Sequence, residues 1–313
     1  MPIYLLLLCR QDIMKKIIFM ENVVYHYCSP EVFKKIIENK SIRLSDITES
    51  NDSKEIVFNN DFIKEYLQIK INAFCNKNKI NKENKEKLTN IVFNHFNSYF
   101  ENFYYKAYAC CFSFEEDLLS QWRGYAEDAK GFAIGFDLNE LKKIGKPDKD
   151  DPFSSDIFDL GDVYYSEKDQ KSRIKLIINE LFKWLSELYL KEGFNLDKIL
   201  ADVNIVLLFL YKNCIFYKNV FFKEEKEWRL CFCASSNTKT ENIKISNDYY
   251  LSELSYFLRG DRLISYIDLN FEKHPEIIKH IVVGPKNNSN MIEDFVKRNE
   301  INCEIVKSKG TYR

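Results

Sequence analysis

The strongest concentration of side chains able to do chemistry is the segment EKEWR, residues 225–229. If the segment is an extended strand, Glu225, Glu227 and Arg229 share one face, because successive side chains alternate along a strand. One interpretation of this face is a salt-bridge ladder at the protein surface. The other is a catalytic strand, in which a carboxylate stabilises positive charge that develops on a sugar and the arginine fixes its orientation.

A histidine flanked by two tyrosines, His26, lies near the end of the first predicted strand. An isolated histidine in a strand can be a hydrogen-bonded structural residue. The functional alternative is a hydrogen-bonding group on a rigid strand edge, with the rings of Tyr25 and Tyr27 placed to stack on a base or a ribose. The sequence leaves both alternatives open.

Polar side chains also cluster in a predicted turn at Asn51, Asp52 and Glu55. Turn capping accounts for the first two, because Asn and Asp side chains bond their own backbone in turns. In a competing hypothesis, Asp52 and Glu55 join the glutamates of residues 225–227 as metal ligands in a nucleic-acid-acting enzyme. The sequence contains no glycine-rich phosphate loop, zinc-protease motif or serine-hydrolase elbow.

The composition is that of a folded, near-neutral protein. The chain has 313 residues, of which 46 are basic and 47 acidic, and 45% are hydrophobic. These values argue against disorder and against a global attraction to nucleic acid. Nine cysteines occur without CxxC spacing, so we expect reduced thiols in a cytoplasmic protein and no metal. The apolar run at residues 3–9 is too short to span a membrane, and we expect no membrane association.

The elements that must position these side chains follow from the periodicity of the chain. Ser29 and Pro30 begin a helix with a capping hydroxyl and a proline at the first helical position. Amphipathic helices are predicted within residues 58–107, at 168–191 and at 196–217, and a final helix at 289–299. Strands are predicted at residues 23–28, 41–45, 107–113, 131–137, 162–166, 228–234, 242–246, 263–269, 278–283 and 303–306.

This order of elements predicts an α+β fold built on a mixed β-sheet core. Met20 opens a segment typical of the start of a folded domain, so we expect residues 1–19 to be a dispensable or non-native extension. Residues 20–313 are expected to form a single domain. Its helical insertions are placed near residues 56–106 and 167–218.

Several segments in order along the chain carry a family resemblance. They are VYHYCS, FKKIIENKSIRLS, NDSKE, CFSFEEDLLSQWRGYAEDAKGFAIGFD, VYYS, FKEEKEWRL, HIVVGP and SKGTYR, and they extend from Val24 to Arg313. Together they resemble the bacterial domain-of-unknown-function family 2971, which is often encountered among phage-defence and abortive-infection genes. The tryptophan–tyrosine block and the E-x-E-W-R strand are specific in combination.

The layout of that family is similar to ADP-ribosyltransferase-like folds, and the resemblance implies roles for particular residues. On this analogy His26 holds the 2′-hydroxyl of an NAD ribose. Either Tyr125 or Tyr27 stacks on the nicotinamide. Glu227 holds the nicotinamide ribose and stabilises its oxocarbenium-like transition state, while Glu225 orients an acceptor. Further substrate contacts are expected from Ser113, Arg123, Arg229, Asn51 and Asp52.

The resemblance therefore implies a bacterial defence or toxin-type effector that consumes NAD. It would transfer ADP-ribose to a macromolecule, nucleic acid or protein, or hydrolyse NAD, and it could respond to a regulatory partner from a defence operon. Two alternatives stay open. One is the metal-dependent enzyme acting on nucleic acid, and the other is a non-enzymatic module that binds a nucleotide or a partner.

Overall fold

A computed structural model of the chain describes residues 22–49, 56, 59–101, 105–144, 158–235 and 249–312. The described residues fall into two units. A helical unit lies within Ser50–Lys106 and Tyr164–Phe222, and a sheet unit lies within Phe19–Glu49, Ala107–Val163 and Lys223–Arg313. Several predicted features lie outside the described residues: Asn51, Asp52, Glu55, Arg313, the predicted strand at 242–246 and the extension at 1–19.

The sheet unit is built on a mixed sheet. Within the described residues, eleven strands pair in the order β11-β10-β4-β1-β3-β2-β9-β7, while β6 pairs with β3 and β5, and β8 pairs with β9. Parallel pairing of β10 with β11 accompanies antiparallel pairing elsewhere, which confirms the α+β class. The strands are β1 Val23–Cys28, β2 Ser41–Asp46, β3 Tyr105–Ser113, β4 Phe132–Asp137, β5 Phe158–Asp162, β6 Glu227–Ser235, β7 Tyr250–Leu251, β8 Ser255–Arg259, β9 Arg262–Asn270, β10 Ile278–Val283 and β11 Glu304–Lys307.

The first helix begins as the sequence predicts. In α1 (Pro30–Asn39), the hydroxyl of Ser29 accepts a hydrogen bond from the backbone N–H of Val32, and proline occupies the first turn. This cap satisfies one of the amides that a helix start leaves without a partner. The apolar stripe of the helix then buries Phe33 and Ile37, and these side chains join the main core of the sheet unit.

Alternate residues along the strands face two different apolar clusters. The larger cluster includes Val24, Phe112 and Trp228 and defines what we call the main core face of the sheet. The smaller one includes Tyr25 and Tyr27. A short helix covers this second cluster, α4 (Leu119–Tyr125), so we call the corresponding side of the sheet the α4 face. Three more helices of the sheet unit are α1, α5 (Leu138–Ile144) and α8 (Ile292–Arg298).

Four α-helices lie in the described part of the helical unit: α2 (Asn60–Lys77), α3 (Lys82–Phe100), α6 (Glu167–Glu192) and α7 (Leu196–Cys214). A fully buried amide, Gln170, joins separate segments of this unit. Its oxygen accepts from Asn59 at 3.1 Å, and its nitrogen donates to the carbonyl of Lys218 at 2.9 Å. No described helix has the length and apolar character needed to cross a membrane.

The observed elements depart from the predicted ones at a few positions. The strand predicted at 162–166 is wrong, because β5 ends at Asp162. Helix α4 and the hairpin of β8 and β9 include segments for which no element was predicted. The long helices of the helical unit confirm the predicted helices there to within a few residues at each end. The expectation that residues 20–313 form a single domain stays a prediction.

Candidate functional site

The carboxylate and guanidinium of β6 form a buried ion pair. The Nε of Arg229 donates to Oε1 of Glu227 at 2.6 Å, and Nη2 donates to Oε2 at 3.1 Å. The Arg229 side chain is 1% exposed and the Glu227 side chain is 4% exposed. Gly161 of β5 lies directly opposite Arg229 and brings no side chain beside it. Burial on this scale rules out the surface salt-bridge ladder as an interpretation of this pair, and the bidentate contact fixes both planar groups.

Two further polar residues surround this ion pair. Asp159 of β5 lies opposite Cys231 of β6, and both lie on the α4 face because Trp228 and Leu230 point to the main core. The pKa of the Cys231 thiol is raised well above its usual value, chiefly by burial. The Arg229 guanidinium opposes this shift, while the carboxylates of Asp159 and Glu227 reinforce it. Asp159 is not among the site residues predicted from the sequence.

The prediction that Glu225 shares a strand face with Glu227 and Arg229 is wrong. Glu225 ends a 3₁₀ helix at Val220–Glu225, and β6 begins only at Glu227. Lys226 between them has a φ of 46°, in the left-handed region that non-glycine residues rarely adopt. The chain therefore changes direction at Lys226, and Glu225 points away from the strand.

Glu225 instead meets helix α4. The hydroxyl of Tyr125 donates to its carboxylate at 2.9 Å, and the amide of Gln121 donates to its backbone carbonyl at 3.4 Å. Gln121 and Tyr125 are four residues apart and lie on the same side of the helix. Lys226, next to Glu225, forms an ion pair with Glu115 at 2.6 Å. These contacts hold the start of β6 against the helix and leave the Tyr125 ring 38% exposed.

Helix α4 is anchored by a buried tryptophan. The indole N–H of Trp122 donates to Oδ1 of Asp117 at 2.6 Å, and its ring lies edge-on to Tyr27 at 4.8 Å between centroids. The Tyr27 hydroxyl donates to the carbonyl of Glu115 at 2.7 Å and accepts from the amide of Leu118 at 2.9 Å. Tyr27, predicted as a stacking residue, is buried in these contacts.

Residues 308–312 hold the same helix from the other side, and we call this segment the 308–312 clamp. The hydroxyl of Ser308 donates to Asp117 at 2.7 Å, and the amide of Lys309 donates to it at 2.8 Å. Further along, the hydroxyl of Tyr312 donates to Asp128 at 2.6 Å. Hydrogen bonds from Lys286 and then Tyr312 lower the pKa of the Asp128 carboxyl. The clamp therefore ties both ends of the α4 segment to the end of the chain.

Arg123, a predicted substrate contact, lies on the surface of α4. Its guanidinium is 5.7 Å from the centroid of the Tyr312 ring. It is two residues from Tyr125 and therefore points to a different side of the helix. Ser113, a predicted substrate contact, is fully buried, and its hydroxyl accepts from the amide of Glu115 at 3.3 Å. It stabilises the turn after β3.

His26 lies where β1 and β3 separate. These strands pair at Tyr25 and Ser113, and one residue further on the Nδ1 of His26 is 3.0 Å from the backbone oxygen of Cys111. Because a carbonyl oxygen only accepts, Nδ1 carries the proton of this hydrogen bond. Burial lowers the pKa of the imidazole, and the bond to the carbonyl opposes the shift.

Strand alternation directs the side chains of His26 and Glu227 to different faces of the sheet, although the Glu227 carboxylate contributes to the raised pKa of Cys110, whose Sγ is 3.6 Å from Nδ1 of His26. Val24 and Cys28, on either side of His26 in the alternation, belong to the main core cluster. Trp228 also belongs to that cluster, so Glu227 points to the α4 face. The structure brings Gln121 and Tyr125 to Glu225, which precedes Glu227 by two residues in the chain. We call these four residues and Arg229 the α4–β6 site. Gln121 was not predicted as a site residue, because no pattern in the sequence of a polar seven-residue helix distinguishes it from its neighbours.

One cysteine on the α4 face of the sheet is exposed to solvent. Cys111 is exposed, although its strand β3 has paired neighbours. Its alternation with Cys110 and Phe112 of the main core places it on the α4 face. An exposed side chain in the interior of a sheet means that no described element covers that face there. Among the described residues, no group of three or more His, Cys, Asp and Glu side chains is arranged to hold a metal ion.

Comparison with known proteins gives one match. A family model described as "Protein of unknown function (DUF2971)" matches residues 121–230. The matched segment begins at Gln121 and ends just after Arg229, so it contains the whole α4–β6 site. The match supports the resemblance to this domain-of-unknown-function family. No curated protein and no solved structure matches the chain, and the ADP-ribosyltransferase-like layout stays a prediction.

Proposed function

We propose that the protein is an NAD-consuming, ADP-ribosyltransferase-like enzyme whose reaction takes place at the α4–β6 site. The observation that carries this proposal is the hydrogen bond from Tyr125 to Glu225. It places an exposed aromatic ring beside a half-buried carboxylate. Such a ring can stack on a nicotinamide or an adenine. A carboxylate next to it can stabilise positive charge on the adjoining ribose.

The reaction breaks the bond between the ribose C1′ and the nicotinamide nitrogen. The electron pair leaves with nicotinamide, positive charge develops on the ribose, and an acceptor nucleophile or water bonds to C1′ and loses a proton. In this scheme Glu225 is the carboxylate that contacts the ribose, because it is accessible. Glu227 is buried and held by Arg229, so we assign it a positioning role. Lys226, exposed between them, is paired with Glu115 and would contact the diphosphate by exchanging that partner.

Substitution of Glu225 tests the proposal. Glu225→Gln removes the negative charge while an amide oxygen can still accept the Tyr125 hydrogen bond. We expect the rate of nicotinamide release from NAD to fall by about 10²- to 10³-fold, as for loss of a group that stabilises transition-state charge. Glu224→Gln is the matched control, since Glu224 is the exposed neighbouring glutamate, and it should leave the rate unchanged. Equal rates for the two variants would contradict the proposal.

Two further measurements separate this proposal from the alternatives. A nucleic-acid-cleaving enzyme would require Mg²⁺, so cleavage abolished by chelator, without nicotinamide release, would favour it. Thermal stabilisation by a nucleotide without turnover would favour a binding module. Three further expectations from the family resemblance stay predictions: that the protein is a bacterial defence effector, that its acceptor is a macromolecule, and that it has a regulatory partner. Growth arrest on expression, relieved by Glu225→Gln, would support the effector role.

A further inference from the structure

The hairpin of β8 and β9 presents apolar side chains to solvent. Tyr256 is 56% exposed, Leu258 is 71% exposed and Leu263 is 63% exposed. Leu258 pairs directly with Leu263 across the hairpin, and Tyr256 lies two residues from Leu258, so all three share one face. A strand that pairs with the outer edge of β8 would place its own side chains beside Tyr256 and Leu258 and cover part of this apolar face.

The backbone of β8 also has an edge that faces away from β9. The pair Arg259 and Arg262 closes a two-residue turn, and such a pair exchanges backbone hydrogen bonds in a hairpin. The N–H and C=O groups of Phe257 therefore point to β9, while those of Tyr256 and Leu258 point outward. Within the described residues, β9 is the strand that pairs with β8. An edge strand of this kind is a template for a further strand.

We propose that a second copy of this chain docks on this edge, by antiparallel pairing of β8 with its symmetry mate centred on Tyr256. The charges of the segment select this occupant and this register. Glu253 and Leu254 lie just before β8, outside the strand. When the pairing extends over them, centring on Tyr256 places Glu253 opposite Arg259 of the other copy, twice by symmetry, and Leu254 opposite Leu258. Centring on Phe257 would instead place Glu253 opposite Asp261, which is repulsive. In both registers the outward-facing backbone groups of Tyr256 and Leu258 form the hydrogen bonds between the two copies. The two registers therefore differ in which charged side chains face each other.

The proposed dimer joins two sheets through one pair of short strands. Because β8 has five residues, the contact is smaller than the roughly 800 Å² per partner of a standard stable interface. We therefore expect a reversible dimer that forms as the protein concentration rises. The proposal concerns the hairpin alone and does not depend on the proposed enzymatic function.

Analytical ultracentrifugation of the full chain across a concentration series tests the proposal. The wild-type protein should pass from monomer to dimer. Glu253→Arg alone and Arg259→Glu alone should each be monomeric, because each places like charges opposite one another. A mixture of the two variants should dimerise again, because every cross-strand pair then joins opposite charges. This recovery is specific to a register in which the two positions face each other.

Three controls keep the outcome interpretable. Glu293→Arg makes the same charge change at an exposed residue outside the hairpin and should dimerise like the wild type. Leu258→Lys should be monomeric, and melting curves should show that it folds, because Leu258 contributes little to the monomer core. Arg259→Glu also loses a hydrogen bond to the carbonyl of Glu49, so its melting curve is measured too. A monomeric wild type, a dimer unaffected by Leu258→Lys, or a mixture that stays monomeric would overturn the proposal.

Discussion

The two glutamates on either side of Lys226 differ in what surrounds their carboxylates. Glu227 is buried and both of its oxygens bond to Arg229. Glu225 is half-buried and accepts from the hydroxyl of Tyr125. Because a buried charge depends on its partner and an accessible one can reach a ligand, substitution should affect stability at Glu227 and, under the proposed function, activity at Glu225.

The first prediction at the residue scale concerns the buried ion pair. Glu227→Gln leaves the Arg229 guanidinium buried without its counter-charge, and we expect a loss of about 3–5 kcal/mol in the free energy of unfolding. The double variant Glu227→Gln/Arg229→Met removes both charges and should lose less than the sum of the two single variants. Urea denaturation followed by circular dichroism measures these values.

An exposed ion pair serves as the control for this cycle. Glu38→Gln breaks the pair between Lys34 and Glu38 on α1, and exposed pairs contribute at most about 1 kcal/mol. If Glu227→Gln were no more destabilising than Glu38→Gln, the buried, bidentate geometry would be wrong. Near-additive losses in the double variant would show that the two side chains do not interact.

At the scale of elements, α4 depends on contacts that are distant in the sequence. Its Ncap residue, Leu118, makes no capping hydrogen bond through its side chain, and seven residues are too few for a stable isolated helix. Its position is set by Asp117, which accepts from Trp122, Ser308 and Lys309. The carboxylate is therefore the link between the helix and the 308–312 clamp.

Substitution of this carboxylate tests the link. Asp117→Asn removes one of the two acceptor oxygens. Either the amide of Lys309 loses its acceptor, or the hydroxyl of Ser308 and the indole N–H of Trp122 both lose theirs. We expect a loss of about 1–3 kcal/mol in stability and faster amide hydrogen exchange within α4 and residues 308–312. Asp294→Asn, at an exposed pair with Arg298, is the matched control. Unchanged exchange in both segments of Asp117→Asn would show that the clamp does not hold the helix.

Local sequence signals predicted some elements well and failed at others for identifiable reasons. The cap at Ser29 and the apolar stripe of α1 are encoded within ten residues, so the helix was predictable. Helix α4 is short, polar and stabilised by tertiary contacts. The turn at Lys226 was missed because a lysine, and not glycine or asparagine, adopts the left-handed conformation there.

At the scale of the whole molecule, the alternation of strands and helices was sufficient to predict the α+β class but not the assembly of the site. Tyr125 and Glu225 are a hundred residues apart, and their contact depends on strand pairings that periodicity does not specify. His26 and Glu227 were assigned to one site by resemblance. Strand alternation places their side chains on opposite faces of the sheet, and a sequence cannot reveal this before the register is known.

The reactivity of the cysteines can be used to test the packing of the molecule, because neighbouring cysteines differ in their exposure to solvent. Cys111 is exposed, whereas Cys110 is buried and its pKa is raised, chiefly by burial. Because the thiolate is the reactive form, an alkylating reagent should modify Cys111 of the native protein rapidly and Cys110 only after unfolding. Peptide mass mapping along a urea series measures this difference. The same late modification is expected for the other buried thiols, Cys28, Cys75, Cys214 and Cys231.

A serine variant separates the reactive thiol from its neighbour. Cys111→Ser should abolish rapid modification of the peptide that contains β3 and leave the melting curve close to that of the wild type, because the side chain is exposed. Modification of Cys110 at the native rate of Cys111 would mean that β3 does not present alternate faces to core and solvent. Since the positions of Glu227 and His26 on opposite faces rest on the same alternation, that result would also remove the basis for assigning them different roles.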